Sequence, residues 1–114
     1  LFQERDCWPV VSVSPANSHP MSCVKVEGTV MQKFVKGEGL KLRSQDLPPA
    51  YIESGAFYLI APEDLRAQRL FFRDDMMPMV IAAPEESIDI DTEWDWMIAE
   101  AALRVLGSKK VNCQ

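Results

Sequence analysis

The chain has 114 residues, of which 47% are hydrophobic and 25% charged, and its net charge is −5. That is one modest domain, able to bury roughly two-thirds of its unfolded surface, and the composition excludes wholesale disorder. The negative balance leaves no chain-wide footprint for nucleic acid, and no apolar run approaches the ~20 residues that span a bilayer, so neither a nucleic-acid nor a membrane partner is expected.

The three cysteines, Cys7, Cys23 and Cys113, are odd in number and fit no zinc spacing. They point to a reducing compartment, hence a cytoplasmic protein. The opening stretch "LFQERD", Leu1 to Asp6, reads as the end of a helix, which implies that the sequence begins inside a larger protein. Val10, Val11 and Val13 form a β-branched run between Pro9 and Pro15 that predicts a buried strand. "MSCVKVEGTVMQKFV" predicts two short strands around Glu27-Gly28. Lys25, Lys33, Lys36, Lys41 and Arg43 concentrate positive charge there. This charge suits an anionic ligand or partner, or simply a solvated hairpin face. The polar segment that follows, closed by Pro48-Pro49, reads as a loop or extended arm.

"AYIESGAFYLIA" is the strongest strand signal, and Gly55 within it marks a bulge or a close backbone approach. Pro62 opens a helix, "PEDLRAQ", with Glu63 and Asp64 at the positive end of its dipole. "PMVIAA" and "SIDID" predict two further strands. The last helix is expected from Thr92 to Leu106, with a Thr92-x-x-Asp95 capping box and Gly107 as its stop. Its wide apolar stripe, from Trp94 to Leu106, predicts burial against a sheet. Strands interleaved with helices around an antiparallel excursion make one half of an α/β domain. An open sheet edge in such a half would favour self-association.

Asp89 and Asp91 carry the sharpest chemical signal. In a strand, residues two apart share a face, so both carboxylates would point one way and repel unless a cation or donor lay between them. Two readings follow: Asp91 caps the helix and Asp89 is solvated, or the pair binds Mg²⁺, which takes one or two carboxylates plus phosphate oxygens. Phe71-Phe72 in a loop is either core or a ligand-facing wall. Tyr58 places a hydroxyl on an apolar strand, where burial requires a partner.

Taken in order, "SHP", "RSQDLPPAY", "SGAFY", Phe71-Phe72 and "SIDIDTEWDW" leading into a helix with "AE" resemble the C-terminal half of the acylneuraminate cytidylyltransferases (CMP-sialic acid synthetases) over nearly the whole chain. The resemblance implies an α/β, Rossmann-like nucleotide-diphospho-sugar transferase fold with a β-hairpin dimerisation arm over residues 21–47, and a homodimer. It implies transfer of CMP from CTP to the anomeric hydroxyl of a nine-carbon keto-sugar acid, releasing pyrophosphate, with Mg²⁺ held by Asp89 and Asp91. Tyr58, Phe71 and Phe72 would line the sugar pocket, Ser54 and Arg43 would fall at or beside sugar-contacting positions, and Lys25 would supply a cation to the neighbouring site. Ser44 and Ser54 stand where the sialic branch typically has arginine and asparagine, so "RSQDL" with "GAFY" is more like the pseudaminic-type branch. Nothing in the chain matches the family's Gly/Ser/Lys-rich nucleotide loop. The nucleotide-binding half is therefore expected to precede Leu1, and this chain alone is expected not to turn over CTP. The rival expectation is an inactive module that keeps the fold and the arm and only binds or self-associates.

Overall fold

The computed structural model describes residues 8–111. The helix end read at residues 1–6, and Cys7 and Cys113, lie outside the described residues. Five strands and two α-helices follow in the order β1 (Val10–Pro15), β2 (Val24–Glu27), β3 (Val30–Lys33), β4 (Tyr51–Leu59), α1 (Pro62–Gln68), β5 (Met77–Val80) and α2 (Glu93–Val111). The chain divides into two compact units, one comprising residues 15–52 and the other the residues on either side.

In the larger unit, β1 is the central strand of the order β4-β1-β5. Val10, Val11, Ser12 and Ser14 are all buried, so both faces of β1 are covered, as its near-continuous β-branched run requires. β5 runs parallel to β1, with Val10 opposite Met77 and Val13 opposite Val80. The N–H groups of Met77 and Ile81 extend this ladder by donating to the carbonyls of Pro9 and Val13, each at 2.7 Å. Pro78 sits opposite Val11, in a strand that is an edge of the sheet among the described residues.

α1 starts at Pro62 with Glu63 and Asp64 in its first turn, as the sequence requires. It ends with Arg69 in the left-handed region (φ 56°, ψ 26°), whose N–H donates to the Leu65 carbonyl at 2.8 Å.

Three expectations are corrected at the C-terminal end. "SIDID" is not a strand. Residues Pro84–Ser87 form a 3-10 turn, pinned by Ser87 Oγ donating to the Pro84 carbonyl at 2.9 Å. Ile88 is extended but unpaired. α2 also runs past Gly107 to Val111. A C′ glycine ends a helix only by adopting the left-handed conformation; Gly107 has no positive φ, and the Ser108 hydroxyl bonds back to the Arg104 carbonyl at 3.0 Å. Nor is the apolar stripe of α2 packed on a sheet among the described residues. Ile98, Ala102 and Val105 line an open groove of about 490 Å³ with Pro84 and Ile88, while Trp94 and Leu103 are 68% and 69% exposed. No helix among the described residues is long and apolar enough to cross a membrane.

The 15–52 unit contains the predicted hairpin. β2 and β3 pair antiparallel, Val24 opposite Lys33 and Glu27 opposite Val30. Gly28 takes φ +62° at the first turn position, the pattern of a II′ turn. Val26, Val30, Met31 and Phe34 are exposed. His19 ties the unit's loop together: its Nδ1 accepts the Met21 N–H at 3.1 Å, which leaves Nε2 to donate to the Pro48 carbonyl at 2.7 Å. The 3-10 turn Gly39–Lys41 meets Met21 so closely that a Cβ on Gly39 would lie 2.5 Å from Met21 Cβ. Gly39→Ala is therefore expected to destabilise this unit by about 1–3 kcal/mol, the usual cost of overpacking. Faster amide exchange in residues 19–42, with β1 unaffected, is the measurement that checks it.

Candidate functional site

β4 leaves regular strand geometry at Gly55, where the sequence predicts a bulge or a close backbone approach, and this organises one side of the site. Gly55 has φ +69° within β4, a conformation natural to glycine. A bulge breaks the ladder and leaves strand polar groups to be satisfied otherwise. Here the side chain of Ser12, fully buried on β1, does so. Its hydroxyl donates to the Phe57 carbonyl at 3.1 Å and accepts the Phe57 N–H at 3.0 Å. Ser54 Oγ donates to Ser12 Oγ at 2.7 Å and accepts the Ala56 N–H at 3.4 Å. Ser54 is thus engaged within the sheet.

Past the bulge, the Tyr58 hydroxyl donates to Glu53 Oε2 at 2.7 Å. That hydrogen bond, and the negative charge of Glu53, hold the phenol above the ordinary tyrosine range. Phe71 and Phe72 lie in the loop after α1, 52% and 51% exposed, so they are not core. Their loop is anchored next door. The guanidinium of Arg73 makes a two-pronged bond to the Asp75 carboxylate and stacks 5.7 Å from the centre of the Trp8 ring, while the Arg73 backbone N–H donates to Met76 Sδ. The Trp8 indole N–H closes the circuit on the Asp75 carbonyl. The hydrogen bonds from Arg73 keep the Asp75 carboxyl below its usual range.

Asp89 and Asp91 are exposed, in an unpaired segment before α2. The strand face that was expected to align them is absent, and so is capping by Asp91. The helix cap is Thr92, as the capping box predicts: the Asp95 N–H donates to Thr92 Oγ1 at 3.2 Å, and Thr92 N and Oγ1 both donate to Asp95 Oδ2, at 2.9 and 2.7 Å. Asp91 joins this cap through its backbone, its N–H reaching Asp95 Oδ2 at 3.2 Å. Neither the Asp89 nor the Asp91 carboxylate makes an ion pair or hydrogen bond among the described residues. No cluster of three or more His, Cys, Asp or Glu suited to a metal occurs among them. By donor chemistry alone, two carboxylates are the hard oxygen ligands that Mg²⁺ takes together with phosphate oxygens and water.

Lys25 and Arg43 belong to the 15–52 unit, and the other site residues to the larger one. Lys25 pairs with Glu27 at 3.1 Å on one face of β2. Arg43 is exposed, and its carbonyl starts the next 3-10 turn by accepting the Asp46 N–H at 2.9 Å. Sequence reasoning missed Ser12, Glu53 and the Trp8–Arg73–Asp75 anchor. A serine inside a buried valine run and a glycine in the strand were the signals that could have found Ser12. The anchor, spanning residues far apart in sequence, left none.

No family model matches the chain. A curated relative does: CMP-N,N′-diacetyllegionaminic acid synthase of Legionella pneumophila is 29% identical over 102 residues, covering 84% of this chain and 41% of the relative. The chain is thus similar to a CMP-sugar synthase, and it spans about two-fifths of that relative's length.

Two outcomes follow from the site. Ser12→Ala would remove the hydroxyl that bonds the Phe57 N–H and carbonyl and the Ser54 hydroxyl, and a loss of about 1–3 kcal/mol is expected in chemical denaturation. The Asp95 carboxyl is held below its usual range chiefly by hydrogen bonds from Thr92. Because its folded pKa is the lower one, its contribution is complete above the ordinary carboxylate pKa and is lost as pH falls through the depressed value. Far-ultraviolet circular dichroism is expected to show α2 fraying in that acidic window, with the pH dependence much reduced in Asp95→Asn.

Proposed function

We propose that this chain is the sugar- and metal-binding part of a CMP-nonulosonic acid synthase. In the reaction, the anomeric hydroxyl of a nine-carbon keto-sugar acid attacks the α-phosphate of CTP and pyrophosphate leaves. The observation that carries the reading is the match, over most of the chain, to a relative whose name states CMP-sugar synthesis. The site chemistry supports it. There is no nucleophile–base pair among the proposed residues, only carboxylates, aromatics and hydroxyls, which suits a reaction catalysed by positioning and electrostatics.

In this reading Tyr58 and the anchored Phe71-Phe72 pair form the wall that holds the sugar and excludes water from one side of it. Asp89 and Asp91 hold Mg²⁺, which when bound neutralises phosphate charge. The capping box fixes the backbone at Asp91, so its carboxylate starts from a defined position. The relative's name and the serines at positions 44 and 54 together favour a di-N-acetylated nine-carbon acid. The exposed apolar side chains of the hairpin, Val26, Val30, Met31 and Phe34, support its role as the arm of a homodimer, since an isolated two-stranded hairpin is marginal in water. Lys25, on that arm, would then be presented to the partner's sugar.

The test uses the longer protein that carries the nucleotide-binding half. Asp91→Asn is expected to lower CMP-sugar formation by roughly 10²-fold or more at saturating Mg²⁺, the scale seen when a preorganised charge-stabilising group is removed. Pyrophosphate release is the readout, and an undiminished rate would refute the metal assignment.

A further inference from the structure

The Glu53–Tyr58 hydrogen bond does not belong to a regular strand. Successive side chains alternate faces, so residues five apart point to opposite sides, with Cα atoms about 16 Å apart. Yet Tyr58 Oη lies 2.7 Å from Glu53 Oε2. Gly55, at φ +69°, adds the extra residue that brings both side chains to one side, and the Ser12 hydroxyl locks that geometry through Phe57. Glu53 is exposed and Tyr58 half-buried. No lysine or arginine pairs with Glu53 among the described residues, so the fold spends a bulge and a buried serine on joining a carboxylate to a phenol.

The chemistry of the pair is one-sided. The only phenol proton is committed to Glu53. What remains is Glu53 Oε1 and the lone pairs of the Tyr58 oxygen, all acceptors. Such a pair attracts a neutral donor and repels a carboxylate or phosphate.

We propose that Glu53 and Tyr58 act as one binding dyad that takes a neutral hydrogen-bond donor of the sugar, a hydroxyl or an acylamido N–H, and turns the sugar's own carboxylate away from β4. The dyad deepens the proposed function and rests on its placement of Tyr58 in the sugar pocket. Glu53 is then a specificity-determining residue.

The test measures steady-state kinetics of the longer protein with a mono-acetamido and a di-acetamido nine-carbon acid. Glu53→Ala is expected to raise KM for the sugar about tenfold, the scale of one hydrogen bond to a charged group, with KM for CTP and kcat little changed. Glu53→Gln, which can still accept from Tyr58, is expected to do less. The effects of Glu53→Ala and Tyr58→Phe are expected to be clearly less than additive in the double variant. An effect with both sugars identifies a donor that they share, a hydroxyl or the common amide; an effect with the di-acetamido acid alone identifies the extra amide. Unchanged sugar KM in Glu53→Ala, or equal losses for sugar and CTP, overturns the dyad. A wild type that makes no CMP-sugar from any such acid overturns the proposed function and the ligand assigned here. In that event, ultraviolet titration of Tyr58, read as the difference from Tyr58→Phe, still reports whether the two side chains form a unit. Ionisation at lower pH in Glu53→Ala supports the pairing, and no change refutes it.

Discussion

One buried hydroxyl holds this structure's site in shape. Ser12 sits where a valine would be expected, at the centre of a strand covered on both faces, and a polar group there is costly unless it is fully bonded. It is fully bonded: it donates to the Phe57 carbonyl and accepts from the Phe57 N–H and the Ser54 hydroxyl. Central strand, serine and the left-handed Gly55 two residues before Phe57 act together. Everything beyond the bulge on β4, Tyr58 above all, takes its direction from this arrangement.

The remaining parts are also held from outside themselves. Phe71 and Phe72 have little core around them, and their loop is fixed by the charge and stacking contacts of Arg73 with Asp75 and Trp8. Asp91 is oriented through Asp95, four residues on. Aromatic rings and carboxylates that must stay available to a ligand cannot be locked by burial, so neighbours that do not meet the ligand do the locking.

Much of this was legible in the sequence where the signal is local. Pro62 with its acidic first turn, the glycine-turned hairpin and the Thr92–Asp95 box all depend on residues within a few positions of each other, and each formed; the glycine signal in β4 likewise marked a real departure, the positive φ of Gly55. The strand at "SIDID" did not form. Alternation of isoleucine and aspartate states a preference for extension, but a strand also needs a ladder partner, and the segment has none among the described residues. The helix stop at Gly107 failed for a similar reason: glycine permits a left-handed end without compelling one. The similarity to a CMP-sugar synthase was legible because several short motifs occur in a telling order. The Glu53–Tyr58 pair was hidden because the period of two that guides strand reading places those residues on opposite faces.

The proline in β5 has a consequence for how the sheet meets its surroundings. Met77 and Ile81 send their N–H groups toward β1, so by alternation Pro78 turns its nitrogen to the opposite, open margin. There the ring leaves a gap in the row of donors that an incoming chain would need. Lateral growth of the sheet past β5 is therefore discouraged by a covalent feature that survives any change in salt or pH, and this margin is ill suited to runaway strand stacking.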